Sequence, residues 1–264
     1  MYRDHAAYLR EWIEFHRLVG VERFFLYDNE SVDEHEEVLA PYVERGIVEV
    51  NDWPSPPHAV NHWGLRFAFD DCLVRHRDDS RWIAFIDVDE FLFSPTGRTV
   101  PDVLAGFERF SGVEVSTLAF GPSEHEAKPS GLVIESYLRR RAYKSRETDV
   151  EHVKSIVDPT CVDRTLNAHG FYYADGYAVH EDGERATGDV PGSKTFPKAS
   201  LLRVNHYLTK SVEEYATKRA QWEALGLARR PLNARFIELL SGEQDETITM
   251  YVPALREALA APVA

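Results

Sequence analysis

The sequence predicts an α/β fold with a mainly parallel central sheet flanked by helices and an irregular C-terminal half that ends in helices. Three observations predict it. Apolar runs of strand length alternate with amphipathic helical segments through residues 9–86, one such run ends in a cluster of carboxylates, and clear periodicity is lost over residues 136–200.

Leu9, Trp12, Ile13, His16 and Val19 recur at helical spacing, and Gly20 is placed to stop that helix. Residues 21–27 read as a buried strand ending in the polar run Asp28-Asn29-Glu30-Ser31-Val32-Asp33, where Ser31 or Asp33 is expected to cap the next helix. That helix covers 34–45 and stops at Gly46. Residues 47–50 form a short strand, 53–57 a rigid Pro-rich loop, and about 61–76 a helix with Leu65, Phe69, Cys72 and Leu73 on one face. Residues 82–86 are an apolar strand. Another strand fits 115–120, and 121–131 is loop-like. Residues 136–200 read as short antiparallel strands within irregular structure, and 201–205 as a late strand. Helices follow over 212–225, 233–240 and 254–260. Without a repeat or an obvious linker, the 264 residues are expected to form one domain, 1–264.

Composition narrows the function. Asp and Glu number 44 against 30 Lys and Arg, a formal charge of −14 that argues against binding nucleic acid or an anionic membrane surface. Two cysteines, Cys72 and Cys161, are too few for a disulfide framework. No apolar run has membrane-spanning length and the first residues do not resemble a signal peptide, so a cytoplasmic location is expected.

The most informative stretch is Trp82-Ile83-Ala84-Phe85-Ile86-Asp87-Val88-Asp89-Glu90-Phe91-Leu92. In open α/β sheets ligands bind beyond the carboxyl ends of strands, where these carboxylates stand. Asp87 and Asp89 are two apart, which on a strand puts both on one side. Two close carboxylates repel unless a hard divalent cation, Mg²⁺ or Mn²⁺, neutralises them, leaving positions open for a diphosphate. An exposed acidic turn is the bland alternative, disfavoured by the apolar residues on both sides. Asp28, ending an earlier strand, is expected on the same sheet edge, where it would read a base or ribose.

The blocks Glu11-Trp12-Ile13-Glu14-Phe15-His16, Gly20-Val21, Tyr27 to Asp33 and Trp82 to Phe91 resemble glycosyltransferase family 92, which is close to the family 2 glycosyltransferases. Phe120-Gly121-Pro122-Ser123, Lys154-Ser155-Ile156-Val157, His169 and Asn205-His206-Tyr207-Leu208-Thr209-Lys210-Ser211 match later family blocks in order. The resemblance implies a GT-A fold, with a nucleotide-sugar half about 1–120 and an acceptor half about 121–264. It also implies a UDP-linked donor, a divalent metal (Mn²⁺ or Mg²⁺) and an unidentified glycan or small-molecule acceptor. Eukaryotic members transfer galactose from UDP-galactose with inversion. In such folds a strand precedes the Glu-Trp-Ile helix, and here almost nothing precedes Met1-Tyr2-Arg3-Asp4, so that first strand is expected to be missing. Glu124 stands where relatives often carry Gly.

On this reading Asp87 and Asp89 hold the metal, His206 is the third ligand, Lys154 and Lys210 neutralise the diphosphate, and Glu90 orients the pair or touches the sugar. Inversion needs a base for the acceptor hydroxyl. Glu124, Glu126, Glu181 and Asp182 are available, and Glu124 is preferred because it follows the strand ending at Phe120. His125, His169 and His180 are reserves for acceptor binding. Trp53, Trp63, Tyr172 and Tyr173 could stack on sugar faces, although aromatic residues more often serve cores. A phosphohydrolase or nucleotidyltransferase could also use Asp-x-Asp, and the aromatics alone would suit a non-catalytic carbohydrate-binding protein.

Overall fold

The computed structural model describes residues 1–54, 63–142, 151–186, 193–194, 198–224 and 231–263, without the side chains of Trp63, Glu151, Ser193, Lys194 and Ala224. The expected loop over 55–57, the start of the third helix at 61–62, the Trp63 side chain and Leu225 lie outside the described residues.

The amphipathic first segment becomes α1 (Ala6–Leu18). Its Leu9, Ile13 and Phe15 are fully buried, and Gly20 beyond its end takes φ +99° against Pro101, a conformation glycine adopts without strain. The chain continues through β1 (Phe24–Asp28), α2 (His35–Glu44), β2 (Val48–Asp52) and α3 (Trp63–His76). The α2 crossover makes β1 and β2 parallel, and Tyr2 bridges Asp28 in the same parallel sense. Then come β3 (Ile83–Ala84), β4 (Glu90–Phe93), α4 (Val100–Leu104), β5 (Gly112–Phe120) and α5 (Val133–Ser136). The second half holds β6 (Arg139–Arg140), β7 (Glu151–Val157), β8 (Val162–Asn167), β9 (Gly170–Tyr173), β10 (Ala178–Val179), β11 (Ser193–Lys194) and β12 (Arg203–Tyr207). It closes with α6 (Val212–Ala224), α7 (Ala234–Leu240), β13 (Glu243–Gln244) and α8 (Val252–Ala260).

The sheet is mixed, which corrects the expectation of a mainly parallel one. Its backbone runs β11-β7-β5-β12-β4, and among the described residues the strand pairs of the whole chain are three parallel and seven antiparallel. The physical reason is that strand partners are chosen by long-range packing, which local alternation of strand and helix does not report: β7 lies antiparallel to both β3 and β5, while β10 and β12 pair parallel to β5.

Two further expectations need correction. The apolar run 82–86 is a strand only over Ile83–Ala84, and Asp87 to Glu90 is a turn closed by the Glu90 N–H donating to the Asp87 carbonyl (3.0 Å). The period-two argument for Asp87 and Asp89 therefore does not apply. Nor do Ser31 and Asp33 cap α2, whose N-terminus has no side-chain cap. Asp33 accepts from the Ala6 N–H (2.7 Å) and so caps α1, while Ser31 Oγ accepts from the Asp4 N–H (2.9 Å).

Candidate functional site

β4 is an edge strand, and α1 covers its open edge with two side chains one turn apart. Trp12 Nε1 donates to the Glu90 carbonyl (2.8 Å), and His16 Nε2 accepts from the Leu92 N–H (3.1 Å) while its Nδ1 lies 2.8 Å from the Trp12 carbonyl. Backbone groups that an edge strand leaves unpaired are thus satisfied inside the core. On the other side β12 pairs antiparallel with β4, placing His206 opposite Glu90, and the Tyr207 N–H binds the Asp89 carbonyl (2.8 Å). The Asp87–Glu90 turn is held from both flanks.

Charged side chains converge on that turn. Lys154 on β7, with 1% of its surface exposed, reaches Asp87 Oδ2 (2.8 Å) and Glu90 Oε2 (3.0 Å). Glu90 Oε2 also accepts from the Asp87 N–H (2.8 Å), folding the turn back on itself. Lys218 on α6 reaches Asp89 Oδ2 (2.6 Å). The His206 ring stands between two carboxylates, with Nε2 3.6 Å from Asp89 Oδ1 and Nδ1 3.6 Å from Glu90 Oε1.

The electrostatics follow from burial and partners. Burial alone would raise the Asp87 and Asp89 carboxyls, but Lys154 beside the first and Lys218 and His206 beside the second hold both below the ordinary range. For Glu90 burial prevails and its pKa is raised. Burial works against charge on His206 and Lys154, yet the adjoining carboxylates raise both. Lys210, its ammonium 3.6 Å from the centre of the Tyr8 ring, is brought down to about 8 by burial.

Of the residues expected from sequence, Asp87, Asp89, Glu90, His206 and Lys154 form this single cluster. Lys154 is engaged by carboxylates rather than presented to solvent. Lys210 sits at its margin, within the field of Asp89 and Lys218. Asp28 does not share a sheet edge with Asp87 as expected, because β1 pairs with β2 in a sheet of their own, separate from the one that carries β3 and β4; there Asp28 accepts the Ser31 N–H. Its loop is fastened to Asp4 through Ser31 and Val32, and the next residue, His5, lies in the fields of Lys210 and Asp89. Glu124 stands outside the buried cluster: its side chain is 81% exposed, with Arg139 Nε at 3.5 Å. Its φ of +69° lies in the left-handed region that glycine adopts more readily than glutamate.

Glu181 is consumed by Ser200, Leu201 and Leu202, whose N–H groups it accepts at the approach to β12, and Asp182 is paired with Lys198. Among the reserve histidines, His125 bonds the Ser136 carbonyl, His169 bonds the Val153 carbonyl and stacks on His152, and His180 faces Glu114. Trp53 packs edge-on against Tyr27 and Tyr172 lies under Arg164. Tyr173 lies against Gly112, where a Cβ would collide with its hydroxyl. Lys218, Trp12 and His16 carry the site, and no local sequence signal assigned them to it. The pattern of an edge strand needing partners points to Trp12 and His16, whereas Lys218 reaches the Asp89 carboxylate from α6.

Among the described residues no three His, Cys, Asp or Glu side chains stand close enough to one another to hold a metal as they are placed. The donor set of two carboxylates and an imidazole nevertheless suits a hard divalent ion, and each lysine takes only one oxygen of its aspartate.

The chain thus combines a mixed α/β fold with a charge-lined turn between β3 and β4. The family profile of glycosyltransferase family 92 matches residues 1–182. The chain belongs to that family. It is 35% identical over 223 residues to a glycosyltransferase family 92 protein of Oryza sativa subsp. japonica, covering 83% of this chain and 34% of the relative. To a family 92 protein of Ricinus communis it is 32% identical over 187 residues, 67% of this chain and 31% of the relative. A galactan beta-1,4-galactosyltransferase of Arabidopsis thaliana is 35% identical over 107 residues, 39% of this chain and 21% of the relative. The chain spans about a third of the length of the first two relatives.

Proposed function

We propose that this chain is the catalytic unit of a GT-A-type glycosyltransferase that moves a sugar from a UDP-linked donor to a hydroxyl acceptor with inversion. Galactose is the favoured sugar because three of the similar proteins are named galactan beta-1,4-galactosyltransferases. The observation that carries the reading is the Asp87–Glu90 turn, where the buried carboxylates of Asp89 and Glu90, the partly exposed Asp87 and two lysines meet in a chain whose overall charge is −14. A surface of that charge repels a nucleotide sugar everywhere except where local cations override it.

Asp87, Asp89 and His206 would hold Mn²⁺ or Mg²⁺. When bound, the ion supplies charge stabilisation for the departing diphosphate. The chain's own groups do the rest. Glu90 holds the Asp87 amide and faces His206 Nδ1, which favours a proton on Nδ1 and leaves Nε2 turned to the metal side. Lys154 favours the charged form of Asp87 and opposes the burial that raises Glu90, and Lys210 offers positive charge beside Asp89 to the phosphates. Asp28, on its fastened loop, reads the ribose or base. For deprotonating the acceptor hydroxyl Glu124, beside Arg139, is the favoured carboxylate and the likewise exposed Glu126 the alternative, since Glu181 and Asp182 are engaged.

Titrating UDP into the protein with and without Mn²⁺, followed by UDP release from UDP-galactose over a panel of acceptors, tests the reading. Metal-dependent UDP binding is expected, and Asp89→Asn should weaken it about a hundredfold while the protein remains folded. Unaltered Mn²⁺-dependent binding in that variant would remove the metal site.

A further inference from the structure

Two lysines share one aromatic ring. The Lys210 ammonium lies 3.6 Å from the centre of the Tyr8 ring, and that of Lys128, on the loop between β5 and α5, lies 4.3 Å from the same centre. Like charges brought this close repel, and a ring face offsets only part of that. Among the described residues neither ammonium has a carboxylate or another hydrogen-bond acceptor in reach. The carboxylates around them serve other donors. Glu214 accepts from the Tyr8, Tyr137 and Ser211 hydroxyls, and Glu11 accepts from the Val133 and Ile134 N–H groups. Lys210 is only 9% exposed, and its backbone takes φ +51°, a left-handed conformation that costs a lysine energy. A buried ammonium without an anion is unfavourable, in keeping with the fall of its pKa to about 8. In a chain carrying −14, two lysines left without carboxylates await an anion from outside.

We propose, building on the glycosyltransferase reading above, that Lys128 together with Lys210 binds an oxyanion on the acceptor, so that the acceptor is an acidic glycan carrying a uronate carboxylate or a phosphate. Position favours the acceptor over the donor. Lys218, His206 and Lys210 act on Asp89, whereas Lys128 acts on Lys210, so the cations lead outward from the turn that would hold the metal. They lead to the loop that also carries Glu124 and Glu126, the carboxylates assigned to the acceptor hydroxyl. Lys210 then stands between the two anions, with the donor's phosphates on the Asp89 side and the acceptor's acidic group on the Lys128 side. Two ammoniums on one oxyanion fix its place, and with it the hydroxyl to be glycosylated.

The test is calorimetry on the intact chain at saturating Mn²⁺ and UDP, so that the donor's phosphates are already in place. Three probes are titrated: methyl galactopyranoside, the corresponding methyl galacturonoside, and galactose 6-phosphate. An acidic probe should bind about tenfold tighter than the neutral one, and Lys128→Met, which keeps the stem and removes the charge, should abolish most of that preference. Lys128→Arg should retain it. A merely structural lysine would weaken acidic and neutral probes alike. Which acidic probe binds tighter separates carboxylate from phosphate. Should Lys128→Met fail to fold, Lys128→Gln gives the same sign. Acidic probes that bind no better than the neutral one, while UDP binds with Mn²⁺, overturn the acidic acceptor and leave the glycosyltransferase reading standing. A Lys128→Met protein that keeps the acidic preference but binds UDP about tenfold more weakly assigns Lys128 to the donor, and also overturns it. A wild-type protein that binds no UDP with Mn²⁺ overturns both.

Discussion

His16 shows how one side chain can link the fold to the site. Fully buried, it bonds the Leu92 N–H through Nε2 and the Trp12 carbonyl through Nδ1, an arrangement that fits the neutral ring. Burial accordingly pulls its pKa down from 6.5 to about 4. The sign follows from linkage. Between those two values the unfolded chain binds the proton and the folded one does not, so stability falls as pH drops through that window. The slope should be about 1.4 kcal/mol per pH unit, summing to about 3 kcal/mol. Urea unfolding from pH 7 to pH 4 should show it, and His16→Gln should lack that one-proton component while being less stable at neutral pH. An identical pH slope in the variant would mean that His16 titrates normally. The sequence placed His16 on the buried face of a helix, and this was legible from its spacing. Its bond to Leu92 was not, because the partner lies 76 residues away.

At the scale of elements, local periodicity revealed the helices better than the sheet. Helices carry their own backbone hydrogen bonds, so spacing and stop glycines located α1, α2 and the C-terminal helices within a few residues. Strand partners are chosen at long range. β12 was visible as an apolar run, yet its insertion between β5 and β4 was not. The same limit hid what ties the last segment to the sheet. Asp245, after β13, accepts from Arg140 Nε (2.7 Å) and Arg203 Nη2 (3.0 Å), all three buried. Burial would raise its carboxyl, but the two guanidiniums hold it far below the usual range. A depressed carboxyl pKa gives stability that is present above about pH 4 and lost as pH falls below it. Asp245→Asn, which takes the buried carboxylate from Arg203 and leaves Arg140 with Glu243, should cost about 3 kcal/mol at pH 7 by denaturant unfolding, with the penalty shrinking below pH 4. A loss of less than about 0.5 kcal/mol would show that the segment is held by its apolar contacts alone.

For the whole molecule, the sequence exposed a contradiction that the structure localises. A chain carrying −14 is expected to repel a nucleotide sugar, yet Lys154, Lys210 and Lys218 gather around one acidic turn. Lys154 and Lys210 drew notice through their motif blocks, whereas Lys218 sits in a helix of mixed charge and is singled out only by the approach of α6 to β4. These two fields have different ranges. At about 0.01 M salt the Debye length is about 30 Å, so the donor feels the whole acidic surface; at about 0.15 M it is about 8 Å, and only the nearby lysines act. Association of UDP at saturating Mn²⁺ should therefore speed up as salt rises from the lower value to the higher, by about threefold, before flattening. Stopped-flow measurement with a fluorescent UDP analogue reads this directly. The opposite trend, a rate falling steadily with salt, would mean that the lysine cluster governs the approach of the nucleotide from long range and that the acidic surface does not face its path.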